Sequence, residues 1–370
     1  RFVSLFTTSE VALLYAARFV DVACGAVMAA VVYGIGNRLF KDRRFKWLFC
    51  VLVMFLPQSL FLHTYVNTDS MCMMSTAIIF YALVRAYRSD FSIRNCMILS
   101  VGIIICALSY YNAYGCILSS IFLFVGFYVY RDGQSGRLKC DWKNMWKRGG
   151  LVAAVVLLGI GWFFIRNAIL YDGDFIGLRT KEAFIQSYGI ARDTFRSSGY
   201  SLAYMLTHTS FVPKVIISFL GNYGSGTIYM YKIMYAGYLL LFGAAFVGLF
   251  IPGEKSKKTF DAERKAGTEG FHTAFFHINM VFCILMPLLL LLKYAYTVDY
   301  QAQGRYLMPA VIPIMYYLCY GFQKLPLYRK AGERRKNILF MGIMMFVVLA
   351  LLLMIFCNAM PVYRMTGVLG

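Results

Sequence analysis

The sequence predicts an all-α, polytopic integral membrane helical bundle of about ten transmembrane helices, and three observations carry that prediction. The first is composition. Of 370 residues, 60% are hydrophobic and 15% charged, with a mean hydropathy of +0.63, whereas soluble domains carry about 25% charged residues. The second is a succession of apolar runs close to the roughly 20 residues that cross about 30 Å of hydrocarbon. The third is that Lys and Arg concentrate in alternate connections between those runs, as in chains whose cytoplasmic loops hold the positive excess.

The runs fall at about 17–36, 47–65, 69–87, 96–111, 114–130, 149–168, 230–252, 271–293, 304–322 and 338–358. The basic connections begin with Arg38, Lys41, Arg43, Arg44 and Lys46, then Arg85, Arg88 and Arg94, then the cluster from Arg131 to Arg148. Lys255 to Lys265 and Lys324 to Lys336 complete the set, which holds 25 of the 37 Lys and Arg. A net charge of +20 would suggest nucleic acid in a soluble protein. Here it is mostly a topology signal facing anionic lipid, so membrane lipids are expected partners and nucleic acid is not. Both visible termini are then expected on the outer side, with a further helix expected before Arg1. The ten cysteines are too dilute for a disulfide scaffold, and all but Cys140 lie in or beside apolar runs, so they read as small hydrophobes.

Residues 1–370 are expected to form a single transmembrane domain, with 169–229 as a long outer-side loop region. That region begins with a polar stretch from Tyr171 to Tyr200 and continues with SLAYMLTHTSFVPKVIISFLG, broken by Pro213 and Lys214. The interruptions argue for an interfacial or re-entrant helix rather than a span.

Polar groups at membrane depth are costly and need a partner or a function. Arg18 and Asp21, spaced i, i+3 in the first span, can pair on one helical face. In PQSLFLHTYVNTDSMCMM, Pro57 bends the second span, and His63, Asn67 and Asp69 gather where the third begins. Asp69 can cap that helix, bind a metal or orient a hydroxyl, and His63 can be an ordinary interfacial histidine. In SYYNAYGC, Tyr111 and Asn112 are either belt residues or a sugar-contacting rim. In KYAYTVDYQAQGRYLMPAVIP, Arg305 stands beside Gln301, Gln303 and Tyr306 and can present its fork to a phosphate or snorkel to the interface. Pro309 and Pro313 disrupt the following helix. GNYGSG lacks the strand and helix of a nucleotide loop, and His272 and His277, at i, i+5, are too far round a helix to share a metal. No Cys/His cluster occurs. No cofactor is assigned, although a divalent metal ion at the acidic site stays open.

Three stretches carry a family likeness. LLYAARFVDVACGAVMAAVVYGIGNRLF resembles the second helix of the GT-C superfamily of membrane glycosyltransferases. PQSLFLHTYVNTDSMCMMSTAIIFYALVRAY resembles the hairpin that follows, with an acid at its outer tip, and QGRYLMPAVIPIMYY resembles the late Arg-Tyr-x-x-Pro-x-x-x-Pro helix of many members. The nearest likeness is to a branch of bacterial membrane proteins associated with surface polysaccharide, at the plasma membrane. The resemblance implies transfer of a sugar from a polyprenyl-phosphate donor to a glycan, lipid or protein acceptor. An acid would deprotonate the acceptor hydroxyl and basic residues would hold the donor phosphate. By position, Asp69 matches the second acidic site, Arg305 with Tyr306 the phosphate-side motif, and 169–229 the loop that closes over both substrates. The principal acid of such enzymes lies in the first outer loop, represented here only by its end, where Glu10 is the sole candidate.

Two other classes remain. A transporter or flippase would place ionisable groups and broken helices near the midplane, often in paired halves, whereas the polar groups here gather at the outer rim without an internal repeat. A non-catalytic partner in polysaccharide assembly would lack the acid of the missing loop. A channel is disfavoured, because no filter or charged ring is legible.

Overall fold

A computed structural model describes residues 3–131, 137–188, 193–252 and 269–365. The chain is almost wholly helical. Helix α1 (Glu10–Leu39) begins at Ser9, whose hydroxyl accepts the Ala12 amide, and α2 (Arg43–Met54) begins at Asp42, whose carboxylate accepts the Arg44 amide at 2.9 Å. Such side-chain acceptors replace the missing partners of the first helical amides. Then come α3 (Pro57–Leu62), α4 (Asp69–Arg88), α5 (Ile93–Ser109) and α6 (Tyr114–Tyr128). A short antiparallel hairpin, β1 (Val129–Arg131) with β2 (Leu138–Cys140), leads into α7 (Trp142–Leu170). After it lie α8 (Leu178–Ser187), α9 (Leu202–Thr207), α10 (Phe211–Leu220) and the pair β3 (Asn222–Tyr223) and β4 (Ile228–Tyr229). The chain ends with α11 (Lys232–Phe250), α12 (Glu269–Thr297), α13 (Val311–Lys324), α14 (Pro326–Arg329), α15 (Glu333–Leu352) and α16 (Met360–Met365).

Among the described residues seven helices are long and apolar enough to cross a membrane, and the protein is a multi-pass membrane protein. Three of the ten expected spans take another form. The second is split into α2 and α3 at Leu56–Pro57, the fourth is the 17-residue α5, and the ninth enters through a 3-10 turn, Gly304–Ala310, before α13. The last span passes through a π-helical stretch, Leu353–Ala359, between α15 and α16.

The core is centred on α4, with Met73, Ala77, Ala82 and Val84 fully buried against α1, α5 and α6. In the 169–229 region, α10 has 10 residues and is about 15 Å long, too short to span, and it buries Phe211, Val215 and Phe219. Asp174 folds this region locally. Its carboxylate accepts the Gly177 and Thr180 amides at 3.0 and 2.9 Å and the Thr180 hydroxyl at 3.1 Å, which together hold it below the usual carboxylate range. At the opposite, basic end, Arg44 joins Asp42 to Glu333 and Asn337 and ties α2 to α15. The ten cysteines are free thiols: seven are buried, Cys50 and Cys140 are partly buried, and Cys357 is exposed. His272 lies among residues whose side chains fall outside the described set.

Candidate functional site

The breaks in the second and ninth spans face each other at the end of the bundle opposite the basic loops. Leu56–Pro57 interrupts backbone pairing, and the segment after α10 supplies the missing partners. The Tyr223 hydroxyl donates to the Pro57 carbonyl at 2.9 Å, and the Asn222 amide donates to Gln58 Oε1 at 2.9 Å. Phe61 stacks on Tyr223 with centroids 4.1 Å apart. The 3-10 turn at 304–310 is held by α10, since Gly304 N–H donates to Ser218 Oγ at 2.6 Å. Glycine is required there because a Cβ would collide with the Val215 carbonyl and the Phe219 amide of α10.

Between these breaks opens a cavity of about 930 Å³. Three cations line it: Arg18 from α1, Lys214 from α10 and Arg305 from the 3-10 turn. Much of the rest of its wall is amide, hydroxyl and aromatic, including Gln58, Tyr65, Asn222, Tyr300, Gln301, Gln303 and, from α16, Tyr363, with Ile217 and Ala302 among them. Among the described residues no carboxylate lines the cavity. The Nε atoms of both Arg18 and Arg305 are buried without a hydrogen-bond partner, which is costly for a charged donor.

Arg305 is positioned from behind. Its guanidinium lies 4.0 Å from the Asp69 carboxylate and 5.1 Å from the centroid of the Tyr306 ring, and Nη2 donates to the Tyr306 hydroxyl at 3.3 Å. That hydroxyl donates in turn to Gln301 Oε1, and Gln301 Nε2 donates to Asp299 at 2.7 Å. Asp69 itself is buried and does not line the cavity.

The remaining expected residues divide. The Arg18–Asp21 pair does not form: Arg18 turns to the cavity, while the Asp21 carboxylate turns inward to Ser70 and the Asn67 amide. Asp69 is the first residue of α4 rather than its cap. Asn67 does the capping, accepting the Ser70 amide at 3.0 Å while its Nδ2 donates to the carbonyls of Leu62 and Tyr65 at 2.7 Å each. Asn67 is therefore committed to holding the α3–α4 turn. Gln303 lines the cavity, Tyr111 and Asn112 form a 3-10 turn packed near 304–310, and Glu10 is exposed at the start of α1, outside the cavity lining. His63 is buried beside the cavity rather than in it. Sequence reasoning missed Lys214 and Arg18 as site residues. Lys214 was legible as a lone charge in an apolar stretch, but its meeting with Arg305 depends on how α10 folds back. Among the described residues no group of three or more His, Cys, Asp or Glu side chains converges as a protein-only metal site would require.

Residues 2–166 match the family model described as dolichyl-phosphate-mannose-protein mannosyltransferase. The match covers somewhat under half of the chain and bears out the likeness to GT-C membrane glycosyltransferases. It includes Arg18, His63 and Asp69 and ends before Lys214 and Arg305. None of the curated proteins and none of the solved structures compared is significantly similar.

Proposed function

We propose that the chain is a membrane glycosyltransferase that takes a sugar from a polyprenyl-phosphate donor and passes it to a hydroxyl of a glycan, lipid or protein. The place is the outer face of a bacterial plasma membrane, and the pathway is cell-surface polysaccharide assembly. The observation that carries the reading is the convergence of Arg18, Arg305 and Lys214 on one cavity, with two buried guanidinium N–H groups lacking acceptors and no acid in the lining. An anionic ligand relieves that cost, and a phosphate fits the planar fork of an arginine. The family matched by 2–166 is named for a polyprenyl-phosphate sugar donor, which supports the same donor class.

In the proposed reaction the acceptor hydroxyl oxygen attacks the anomeric carbon, the bond from that carbon to the phosphate oxygen breaks, and the hydroxyl proton passes to the departing lipid phosphate, since no carboxylate lines the described cavity to take it. Negative charge then grows on the departing lipid phosphate, where Arg305, Arg18 and Lys214 stabilise it. The aromatic and amide wall suits the polar edges and C–H faces of a sugar. Asp69 fixes Arg305 from outside the cavity, so it is proposed as a positioning residue.

The test is transfer from a radiolabelled polyprenyl-phosphate sugar by the purified full chain in nanodiscs. Arg305→Ala is expected to lower turnover about 10²–10³-fold, the effect of removing one donor to a developing anion. Asp69→Asn is expected to raise KM more than it lowers kcat. Equal activity in wild type and Arg305→Ala removes the assignment, and equilibrium uptake of a free solute by reconstituted protein favours a transporter.

A further inference from the structure

A second cavity of about 660 Å³ lies between α1 and the α2–α3 segment, on the other side of Thr64 from the cation-lined site. Its wall includes Val22, Ala26, Ala30, Tyr33 and Trp47 and contains no charged side chain. Val22, Tyr33 and Trp47 are themselves well exposed, so the groove opens on the perimeter of the bundle, where lipid lies. From Val22 to Tyr33 the groove follows α1 for about 16 Å, roughly one leaflet of a bilayer core about 30 Å thick.

At its Thr64 end sits His63, 3% exposed, whose Nε2 is buried without a hydrogen-bond partner. The other ring nitrogen is accounted for. Nδ1 is 2.6 Å from Ser70 Oγ, and the single Ser70 hydroxyl proton is directed to the Asp21 carbonyl at 3.0 Å. Nδ1 must therefore carry the proton and donate to Ser70, which leaves Nε2 with a free lone pair. Gly25 lets α1 approach the ring, since a Cβ there would lie 2.9 Å from His63 Cγ. A lone pair in an apolar wall wants a hydrogen-bond donor. A phosphate head offers none, and no cation is present in the wall to receive one.

We propose that this groove binds one long-chain lipid alcohol, with its hydrocarbon along α1 and its hydroxyl donating to His63 Nε2. The proposal does not rest on sugar transfer, and its test does not use transfer. Purified full chain in phosphatidylcholine nanodiscs is irradiated with a long-chain primary alcohol carrying a diazirine, and the labelled peptides are mapped. Labelling is expected in residues 22–33 and 47–64, competed about tenfold better by the unlabelled alcohol than by its methyl ether, the ratio of one hydrogen bond. Ala30→Phe, a change at an exposed groove position, is expected to abolish the labelling. His63→Phe is expected to keep it while erasing the preference for alcohol over ether. Equal competition by alcohol and ether in the unmodified protein overturns the proposal, as does labelling spread as densely over α7 and α11. Should His63→Phe fail to fold, the competition ratio on the unmodified protein decides alone.

Discussion

Helix α7 and the broken ninth span solve the same problem in opposite ways. α7 runs 29 residues without interruption, and only 6% of its apolar window is buried inside the bundle. Every amide within it is paired along the helix, so hydrocarbon can surround it. The ninth span starts in a 3-10 turn with Pro309 inside it, and its Gly304 amide is satisfied only by Ser218 from another helix. Irregular backbone of that kind must lie against protein or a polar cavity. The cavity of Arg18, Lys214 and Arg305 is bounded by such breaks, at Leu56–Pro57 and at Gly304–Ala310, with the π stretch Leu353–Ala359 leading to Tyr363. In this molecule the continuous, lipid-facing α7 takes no part in the described site, the interrupted spans bound it, and the continuous α1 reaches it only through Tyr15 and Arg18.

The sharpest way to test that division is to remove an arginine from each kind of span. Arg305→Ala in the interrupted ninth span should cost about 10²–10³ in transfer rate, whereas Arg166→Ala near the end of continuous α7 should leave turnover unchanged. Similar losses from both would dissolve the distinction, and the reading of the cavity with it.

A smaller effect is expected from closing the contact that holds the break in place. Gly304→Val would drive a side chain into the backbone of α10 at Val215 and Phe219. Overpacking of this kind costs about 1–3 kcal/mol, read as a lower midpoint in a thermal melt in detergent. Transfer should fall with it, because Lys214 on α10 and Arg305 beside residue 304 move relative to each other. A stable protein with full activity would show that the α10 contact is incidental to the site.

How much of this was legible in the sequence depends on the range of the signal. Apolar runs and loop charges are local, so a polytopic helical bundle could be read directly, though seven described helices rather than ten are long and apolar enough to span, and Pro57 as a bend and Arg305 with Gln303 as a polar knot were legible too. The direction in which a side chain turns is not local. Arg18 and Asp21 satisfy the i, i+3 rule for pairing, yet Asp21 faces Ser70 and Asn67 and Arg18 faces the cavity, because partners at the start of α4 draw Asp21 away from its neighbour on α1. Asp69 reads as a cap from its position, but the turn is closed by Asn67, two residues earlier. Lys214 could be flagged as an oddity, and only the fold-back of α10 gives it company.

At the basic end, the electrostatic contrast with the cation-lined cavity can be tested by pH. Asp42 caps α2, accepts Arg44 and the Tyr328 hydroxyl, and is held below the usual carboxylate range even though burial pushes it the other way, the Arg44 hydrogen bonds winning. A carboxyl lowered on folding stabilises the protein above its unfolded pKa, about 3.9, and that contribution is lost as pH falls through the folded value. Melting temperature should therefore hold from neutral pH to about 4 and drop below it. Asp42→Asn keeps the helix cap but removes the charge paired with Arg44, so it should cost less than about 1 kcal/mol at neutral pH, the usual size of a partly exposed ion pair, and should flatten the acid limb. An unchanged acid limb would place the pH sensitivity elsewhere, at Asp141, Asp174 or Glu333, which hydrogen bonds also hold low.

The smallest effect belongs to the lipid-facing surface, and it closes the comparison from the other side. Leu158 in α7 is 83% exposed, so in the membrane its side chain exchanges protein contacts for lipid contacts hardly at all when the protein folds. Leu158→Ala should shift stability by less than about 0.5 kcal/mol, where truncating a packed core leucine costs about 2–5 kcal/mol. The measurement is a thermal melt of the variant in nanodiscs beside Leu83→Ala, a fully enclosed position in α4. A loss at Leu158 as large as at Leu83 would mean that α7 is covered by protein in the working assembly, and its continuous helix would then owe its exposure here to a missing neighbour rather than to lipid.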